Sequence, residues 1–167
     1  MTGGAGFIGG NFVLQQINNT ENRILNFDKI TYAGNLNTLS SIEYNERYKF
    51  VHGDITDAIQ VWETISTFKP DAIVNFAAES HVDRSIDNYS DFINTNILGT
   101  INLLDLSLEY WRKNKNSNFK FIHISTDEVY GSLDNEGSFT ENSAYFPSSP
   151  YSASKASSDH FVNAWHR

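Results

Sequence analysis

Apolar and polar positions along the chain follow two periods, and each change of period marks an element. After a cluster of glycines, Phe12, Val13, Leu14 and Ile17 recur at helical spacing. Ile24 to Asp28 then reads as a short buried strand, and residues 50–54 as another. Residues 58–68 predict a helix with Ile59, Trp62, Ile65 and Phe68 on one face; Pro70 opens a turn, and residues 72–78 predict a strand. A long helical pattern covers residues 91–111 with Ile93, Ile97, Ile101, Leu104 and Leu108 inward. It is followed by a strand over 119–125, a loop, and a helix from about Pro150. Strands alternating with helices call for a parallel sheet covered on both faces, because each parallel crossover needs a dozen or more residues. The fold class is therefore α/β, a doubly wound parallel sheet.

One element is missing from this pattern. A glycine loop of this kind follows the first, central strand of such a sheet, yet only Met1 and Thr2 precede Gly3. The strand order 3-2-1-4 puts that strand in the middle, so its loss predicts two unpaired edges in the core. The pattern also stops at Arg167, inside or just after a helix. The expectation is one truncated domain, residues 1–167, without its first strand or a C-terminal substrate lobe.

Composition narrows the function classes. Twenty acidic residues against twelve basic give a net charge of -8, so a binder of nucleic-acid phosphates would work against its own field. There is no cysteine, hence no thiolate metal site or cysteine nucleophile, and the five histidines are scattered, so no metal is expected. No apolar run exceeds three residues, which leaves no signal peptide and no membrane helix in the pattern. A soluble, cytoplasmic protein is expected.

Gly3, Gly6 and Gly9, with Phe7 and Ile8 between them, have the spacing of a tight turn that brings backbone amides to a pyrophosphate at a helix N-terminus. Asp28 ends the next predicted strand 19 positions after Gly9, near the ~20 expected of a ribose-binding acid. A carboxylate there favours NAD over NADP, although Lys29 beside it blunts that preference. Asp54 and Ile55 close another strand where side chains can meet adenine; Asp54 equally suits a turn carboxylate before Thr56. Ala77 and Ala78 end the next strand with two methyl groups, small enough for a cofactor to lie against the sheet or simply for packing. Ser80, His81 and Asp83 hold all three triad residue types, but a Ser-His-Asp machine needs them to converge from separate elements.

Tyr151 and Lys155 stand at i and i+4 and so share one helix face. A neighbouring ammonium and a cationic nicotinamide would both favour the phenolate, making Tyr151 a base for a hydroxyl proton. Thr126, Asp127 and Glu128 leave a strand at the carboxyl edge, where open α/β sheets bind ligands. They offer an alcohol and two carboxyl groups whose pKa values can be driven apart; a solvated acidic turn is the alternative.

Together, Gly-x-x-Gly-x-x-Gly, Tyr-x-x-x-Lys, "AAESHVDRS", "DKITYAGN" and "HISTDEVYG" resemble the extended short-chain dehydrogenase/reductases, and within them the dTDP-glucose 4,6-dehydratase family of the rhamnose pathway. The resemblance runs along essentially the whole chain but covers only about the first half of a family member. It implies a Rossmann domain, NAD as cofactor, a nucleotide-sugar substrate (dTDP-glucose) and a full-length homodimer. It assigns Tyr151, Lys155, Thr126, Asp127 and Glu128 to the catalytic positions. Gly3, Gly6, Phe7, Ile8, Gly9, Asp28, Asp54, Ile55, Ala77 and Ala78 fall at the NAD positions, and Ser80, His81, Asp83 and Thr126 at the substrate. The Thr-Asp-Glu triplet separates dehydratases from the 4-epimerases of the superfamily. Two alternatives remain, a non-catalytic NAD-binding remnant and a sugar-nucleotide 4-epimerase, and the 167 residues alone are expected to be inactive.

Overall fold

The computed structural model describes residues 1–115, 118–133 and 137–167. Helix α1 (Phe7–Asn19) follows the glycine cluster and strand β1 (Ile24–Asp28) follows α1. A 3-10 helix (Leu36–Ile42) leads to β2 (Tyr48–His52), α2 (Ala58–Phe68) and β3 (Ala72–Asn75). Short helices α3 (Val82–Asp87) and α4 (Ser90–Phe92) precede a π-helical stretch (Ile93–Gly99) that runs into α5 (Thr100–Asn114). Strand β4 (Lys120–His123), a 3-10 turn (Asp127–Tyr130) and α6 (Pro150–His166) complete the chain.

Parallel β1 and β2 pair from Ile24 with Tyr48 to Asp28 with His52, and parallel β3 and β4 from Ala72 with Lys120 to Asn75 with His123. What joins the two pairs corrects the expectation of unpaired central edges in part, at their carboxyl ends. Thr2 bridges Phe27 on one side and Asn75 on the other, through Thr2 N–H to Val74 O at 3.0 Å, Phe76 N–H to Thr2 O at 3.2 Å and Gly3 N–H to Phe27 O at 3.0 Å. Met1 adds bonds to both sides of Phe27, with its carbonyl accepting the Phe27 N–H at 2.9 Å and its nitrogen donating to Leu25 O at 2.7 Å. Two residues thus stand in the place of a first strand and give the order β2, β1, Thr2, β3, β4. Beside them lies a narrow apolar cavity of about 50 Å³ among Met1, Leu25, Phe27, Val61, Ile65 and Ile73.

Several boundaries and faces also differ from the pattern. Strand β2 lies two residues earlier than expected because it matches β1 residue for residue. It stops at Gly53, where a Cβ would meet the Phe27 ring at 2.3 Å. In α2 the buried residues are Val61 and Ile65, whereas Ile59 is 72% exposed. On the long helical rod the inward face is Phe92, Asn96, Gly99, Thr100, Leu103, Leu104, Ser107 and Tyr110. The apolar set reads mostly one position out of phase, with Ile93 41% exposed, because polar Asn96 and Thr100 occupy buried positions. The core between sheet and helices is Leu25, Phe27, Ile55, Val61, Ile65, Ile73, Leu103 and Tyr110. A second cluster of Val13, Ile17, Leu39 and Ile42 seats α1. Each such side chain contributes about 1.5–3 kcal/mol by leaving water, which holds the glycine loop and the start of α6 at one edge of the sheet.

Candidate active site

The glycine loop is shaped by contacts with β1. Gly3 has φ +69°, a left-handed conformation, and a Cβ there would meet the Ala77 nitrogen at 2.5 Å; a Cβ on Gly9 would meet Gly3 O at 2.2 Å. Both positions exclude a side chain. Gly6 differs, since its Cβ would touch only Gly3 O at 3.4 Å, so the missing side chain there leaves the mouth of the loop open. Gly4 N–H donates to Asn26 Oδ1 at 3.0 Å, and Ala5 N–H to Asp28 Oδ2 at 2.8 Å. The first turn of α1 carries no acidic residue, so the positive end of its dipole and the unpaired N–H groups of that turn are uncompensated from within the helix.

One cavity of about 370 Å³ opens at the carboxyl edge of the sheet. It is lined by Gly3, Gly6, Phe7, Ile8, Gly9, Asp28, Asp54, Ile55, Ala77, Ala78, Ser80, Tyr151 and Lys155, among others. Phe7 and Ile8 turn their side chains mostly to solvent, at 84% and 64% exposure. The second oxygen of Asp28 accepts the Ile30 N–H at 2.8 Å. Lys29, next door, pairs with Asp54 at 2.7 Å rather than with Asp28. Asp54 also accepts the Thr56 N–H at 2.9 Å, so it serves as a turn carboxylate and lines the cavity at once. Burial pushes its carboxyl up, but hydrogen bonds from Lys29 and Thr56 outweigh that and hold it below the usual range.

Helix α6 starts where it does because Ser149 accepts the Ser152 N–H, Ser152 returns a bond to the Ser149 N–H, and Pro150 occupies the first turn. That start buries Tyr151, whose N–H donates to Ser85 Oγ at 3.1 Å and whose ring meets Phe92 edge-on at 6.3 Å. The Thr126 hydroxyl, which donates to Asp127 Oδ1 at 3.4 Å, lies near enough to the phenol to pull its pKa down. Thr126 also caps its own turn by accepting the Glu128 N–H at 3.3 Å, Val129 anchors the turn in the core, and Gly131 closes it at φ +96°. The triplet is therefore fixed beside Tyr151, with Asp127 exposed and Glu128 half-buried. His81 and Asp83 are exposed around the start of α3, and among the described residues no hydrogen bond joins them to Ser80. The three do not form a triad.

Electrostatics correct one expectation. Burial raises the Tyr151 pKa above its usual 10; the Thr126 hydroxyl opposes this, and the Glu128 and Asp127 charges add to it. Lys155 does not offset the rise, because its ammonium turns to the Ile124 carbonyl at 2.6 Å. Burial also lowers Lys155 to about 8, with Asp159 opposing. The phenol is thus protonated in the chain by itself.

Sequence reasoning missed the buried polar residues behind the cavity. Asn26 holds Gly4, and Asn96 holds both the N–H and the C=O of Glu79 at 2.9 Å. Asn75, His123 and Asp159 lie behind Lys155. The available signal was polar residues at buried phases of strands and helices. The His123 side chain is 4% exposed; burial first, and then the Lys155 charge, push its pKa from 6.5 down to about 3. The unfolded chain binds this proton near pH 6.5 while the fold refuses it, so stability is full above that pH and falls as pH drops toward 3. The slope is at most about 1.4 kcal/mol per pH unit. Urea melts between pH 7 and 4.5 should show this loss, and His123→Gln should flatten it; equal slopes in the two proteins would place the ring in water.

The family profile described as GDP-mannose 4,6 dehydratase matches residues 1–167. The chain belongs to this family. It is 54% identical over 169 residues to the dTDP-glucose 4,6-dehydratase of Xanthomonas campestris pv. campestris, covering 99% of this chain and 48% of that protein. It is 53% identical over 179 residues to the Escherichia coli dTDP-glucose 4,6-dehydratase, at 100% and 49% coverage. Among solved structures, DesIV from Streptomyces venezuelae, a dTDP-glucose 4,6-dehydratase with NAD and TYD bound, superposes with a TM-score of 0.90. The identity is 46%, over 99% of this chain and 50% of that one. The UDP-Glc/GlcNAc 4-epimerase of Campylobacter jejuni shares the fold at a TM-score of 0.86 but only 29% identity, over 98% and 47% of the two chains. The chain spans about half the length of the curated relatives it matches. Among the described residues no helix is long and apolar enough to cross a membrane, and no three acidic or histidine side chains converge as metal ligands.

Proposed function

We propose that residues 1–167 are the NAD-binding Rossmann domain of a lyase that converts dTDP-glucose to dTDP-4-keto-6-deoxyglucose. The observation that carries the reading is convergence. The open glycine loop, Asp28, Tyr151 and Lys155 line one cavity at the sheet edge, and the Thr126-Asp127-Glu128 turn abuts Tyr151. The cavity fits a dinucleotide, with a mouth that a Cβ on Gly6 would narrow, helix N–H donors, and a carboxylate held at the end of β1. The identity to dTDP-glucose 4,6-dehydratases, above that to the 4-epimerase, supports dehydration over epimerisation.

Bound NAD supplies a hydride acceptor for sugar C4 and returns that hydride to C6. The chain's own residues move the protons. In its deprotonated form Tyr151 accepts the O4 proton, Thr126 hydrogen-bonds the same oxygen, and Lys155 holds positive charge near the cofactor, which favours that form. Once C4 is a ketone the C5 proton is acidic. Glu128 removes it as general base, protonated Asp127 gives its proton to O6, which leaves as water, and a proton returns to C5 as C6 takes back the hydride. Ser80, His81 and Asp83 lie on the stretch from the cavity to α3 and are assigned to substrate orientation. The same reading carries a full-length homodimer acting in the cytoplasm, in the rhamnose pathway, away from membrane and nucleic acid; the net charge of -8 supports the last point. Incubation of a protein carrying this domain at its relatives' full length with dTDP-glucose and NAD tests it: a product lighter by one water and bearing a C6 methyl group is expected, and C4 epimerisation without loss of water would overturn it.

Cofactor choice gives a separate expectation. Asp28→Ala should narrow the preference for NAD over NADP by about tenfold, the worth of one charged hydrogen bond. Because Asp28 also holds Ala5 and Ile30, the ratio of the two affinities is the quantity to measure, since loosening of the loop affects both. An unchanged ratio would remove Asp28 from the ribose.

A further inference from the structure

Behind the cavity, buried polar groups to which the dehydratase reading gives no role run from the root of the glycine loop to Lys155. The Thr2 hydroxyl accepts the Ala77 N–H at 3.2 Å and lies 2.6 Å from Asn75 Oδ1. That second contact has the length of an O–H···O bond, so the Thr2 proton goes to the Asn75 carbonyl. Asn75, 1% exposed, then points its amide nitrogen at Thr100 Oγ1 at 3.4 Å and at His123 Nδ1 at 3.2 Å. An N–H aimed at Nδ1 makes that nitrogen the acceptor, and a neutral imidazole must then carry its proton on Nε2. Nε2 faces two charged groups of α6, Asp159 Oδ1 at 3.6 Å and Lys155 Nζ at 3.4 Å. An N–H dipole there suits the carboxylate and turns the ammonium toward its other partner, the Ile124 carbonyl. The far oxygen of Asp159 accepts from Ser125 at 2.5 Å and from Tyr145 at 3.1 Å.

We propose that Asn75, His123 and Asp159 are positioning residues for Lys155. The Thr2–Asn75 bond fixes His123 as the Nε2–H tautomer; that N–H dipole faces the Asp159 carboxylate across 3.6 Å, which Ser125 and Tyr145 hold by hydrogen bonds; and the carboxylate keeps the Lys155 charge at the end of β4. The relay rests on the reading of Lys155 as the lysine beside cofactor and phenol, and it adds what sets its charge. The titratable neighbours are His123 from β4, Tyr151 and Asp159 from α6, and Tyr145 from the preceding loop. Asp127 and Glu128 act on Tyr151.

Two measurements test the relay without any turnover. Long-range proton–nitrogen NMR of His123 at pH 7 should show one neutral Nε2–H tautomer, retained in Thr2→Ser and mixed with Nδ1–H in Thr2→Val. Competitive acetylation of Lys155 across pH, read by mass spectrometry, should give a midpoint near 8, lowered by about one unit in Asp159→Asn because an opposite charge is removed. An Nδ1–H or imidazolium His123 in the unmodified protein, or an Asp159→Asn midpoint no lower than the unmodified one, overturns the proposal. A protein of its relatives' full length that shows both expected signatures but forms no 4-keto sugar retains the relay and refutes the dehydratase reading, so the two failures are distinguishable.

Discussion

In a protein of its relatives' full length, Tyr151→Phe is expected to lower turnover of dTDP-glucose by about 10²-fold or more while leaving the fold intact. The ring keeps its edge contact with Phe92, and the backbone N–H keeps Ser85; only the oxygen that accepts the O4 proton is lost. The loss should fall on C4 oxidation, read as hydride transfer in a single turnover, with binding of NAD little changed. The phenol of the chain alone sits above its usual pKa through burial, opposed by the Thr126 hydroxyl and reinforced by Glu128 and Asp127. A rate that depends on its deprotonation therefore rises with pH, and the residual rate of Tyr151→Phe should lack that rise. Near-normal oxidation in the variant would mean that another group takes the proton.

What was legible in the sequence follows from what short-range chemistry encodes. Strand β1 and helix α2 have the bounds the pattern predicts, because Pro70 and the spacing of apolar residues are local signals. Helix α6 likewise begins at Pro150, behind a serine cap. The glycine positions were legible because a backbone that meets another backbone admits no side chain. The inward face of the long rod was not, since burial of Asn96 and Thr100 is decided by what they bond across the core, and apolar counting assigns such residues to solvent. The central gap was misjudged for a related reason: two residues suffice to bridge β1 and β3 when both of their edges hydrogen-bond, and strand length alone does not reveal this. Asn75, His123 and Asp159 were invisible because their meaning lies in one another, across 84 residues from Asn75 to Asp159.

The second large effect belongs to Glu128. Its turn is pinned by the Thr126 cap, by buried Val129 and by Gly131, where a Cβ would meet Phe146 O at 2.6 Å, so Glu128→Gln exchanges an oxygen for an amide without freeing the loop. Tyr151, Thr126 and Lys155 keep their places, and loss of the Glu128 charge lowers the Tyr151 pKa if it changes it at all, so hydride transfer from C4 should proceed at no less than its usual rate. Elimination should not: an amide cannot take the C5 proton, and a loss of about 10²-fold or more is expected from general-base magnitudes. The two half-reactions separate in deuterium oxide. The variant should oxidise C4 yet incorporate no deuterium at C5, whereas Tyr151→Phe supplied with the 4-keto sugar should still exchange it. If Glu128→Gln instead blocked C4 oxidation and spared exchange at C5, the carboxylate would belong to the oxidation step and the division of labour between α6 and the acidic turn would be reversed.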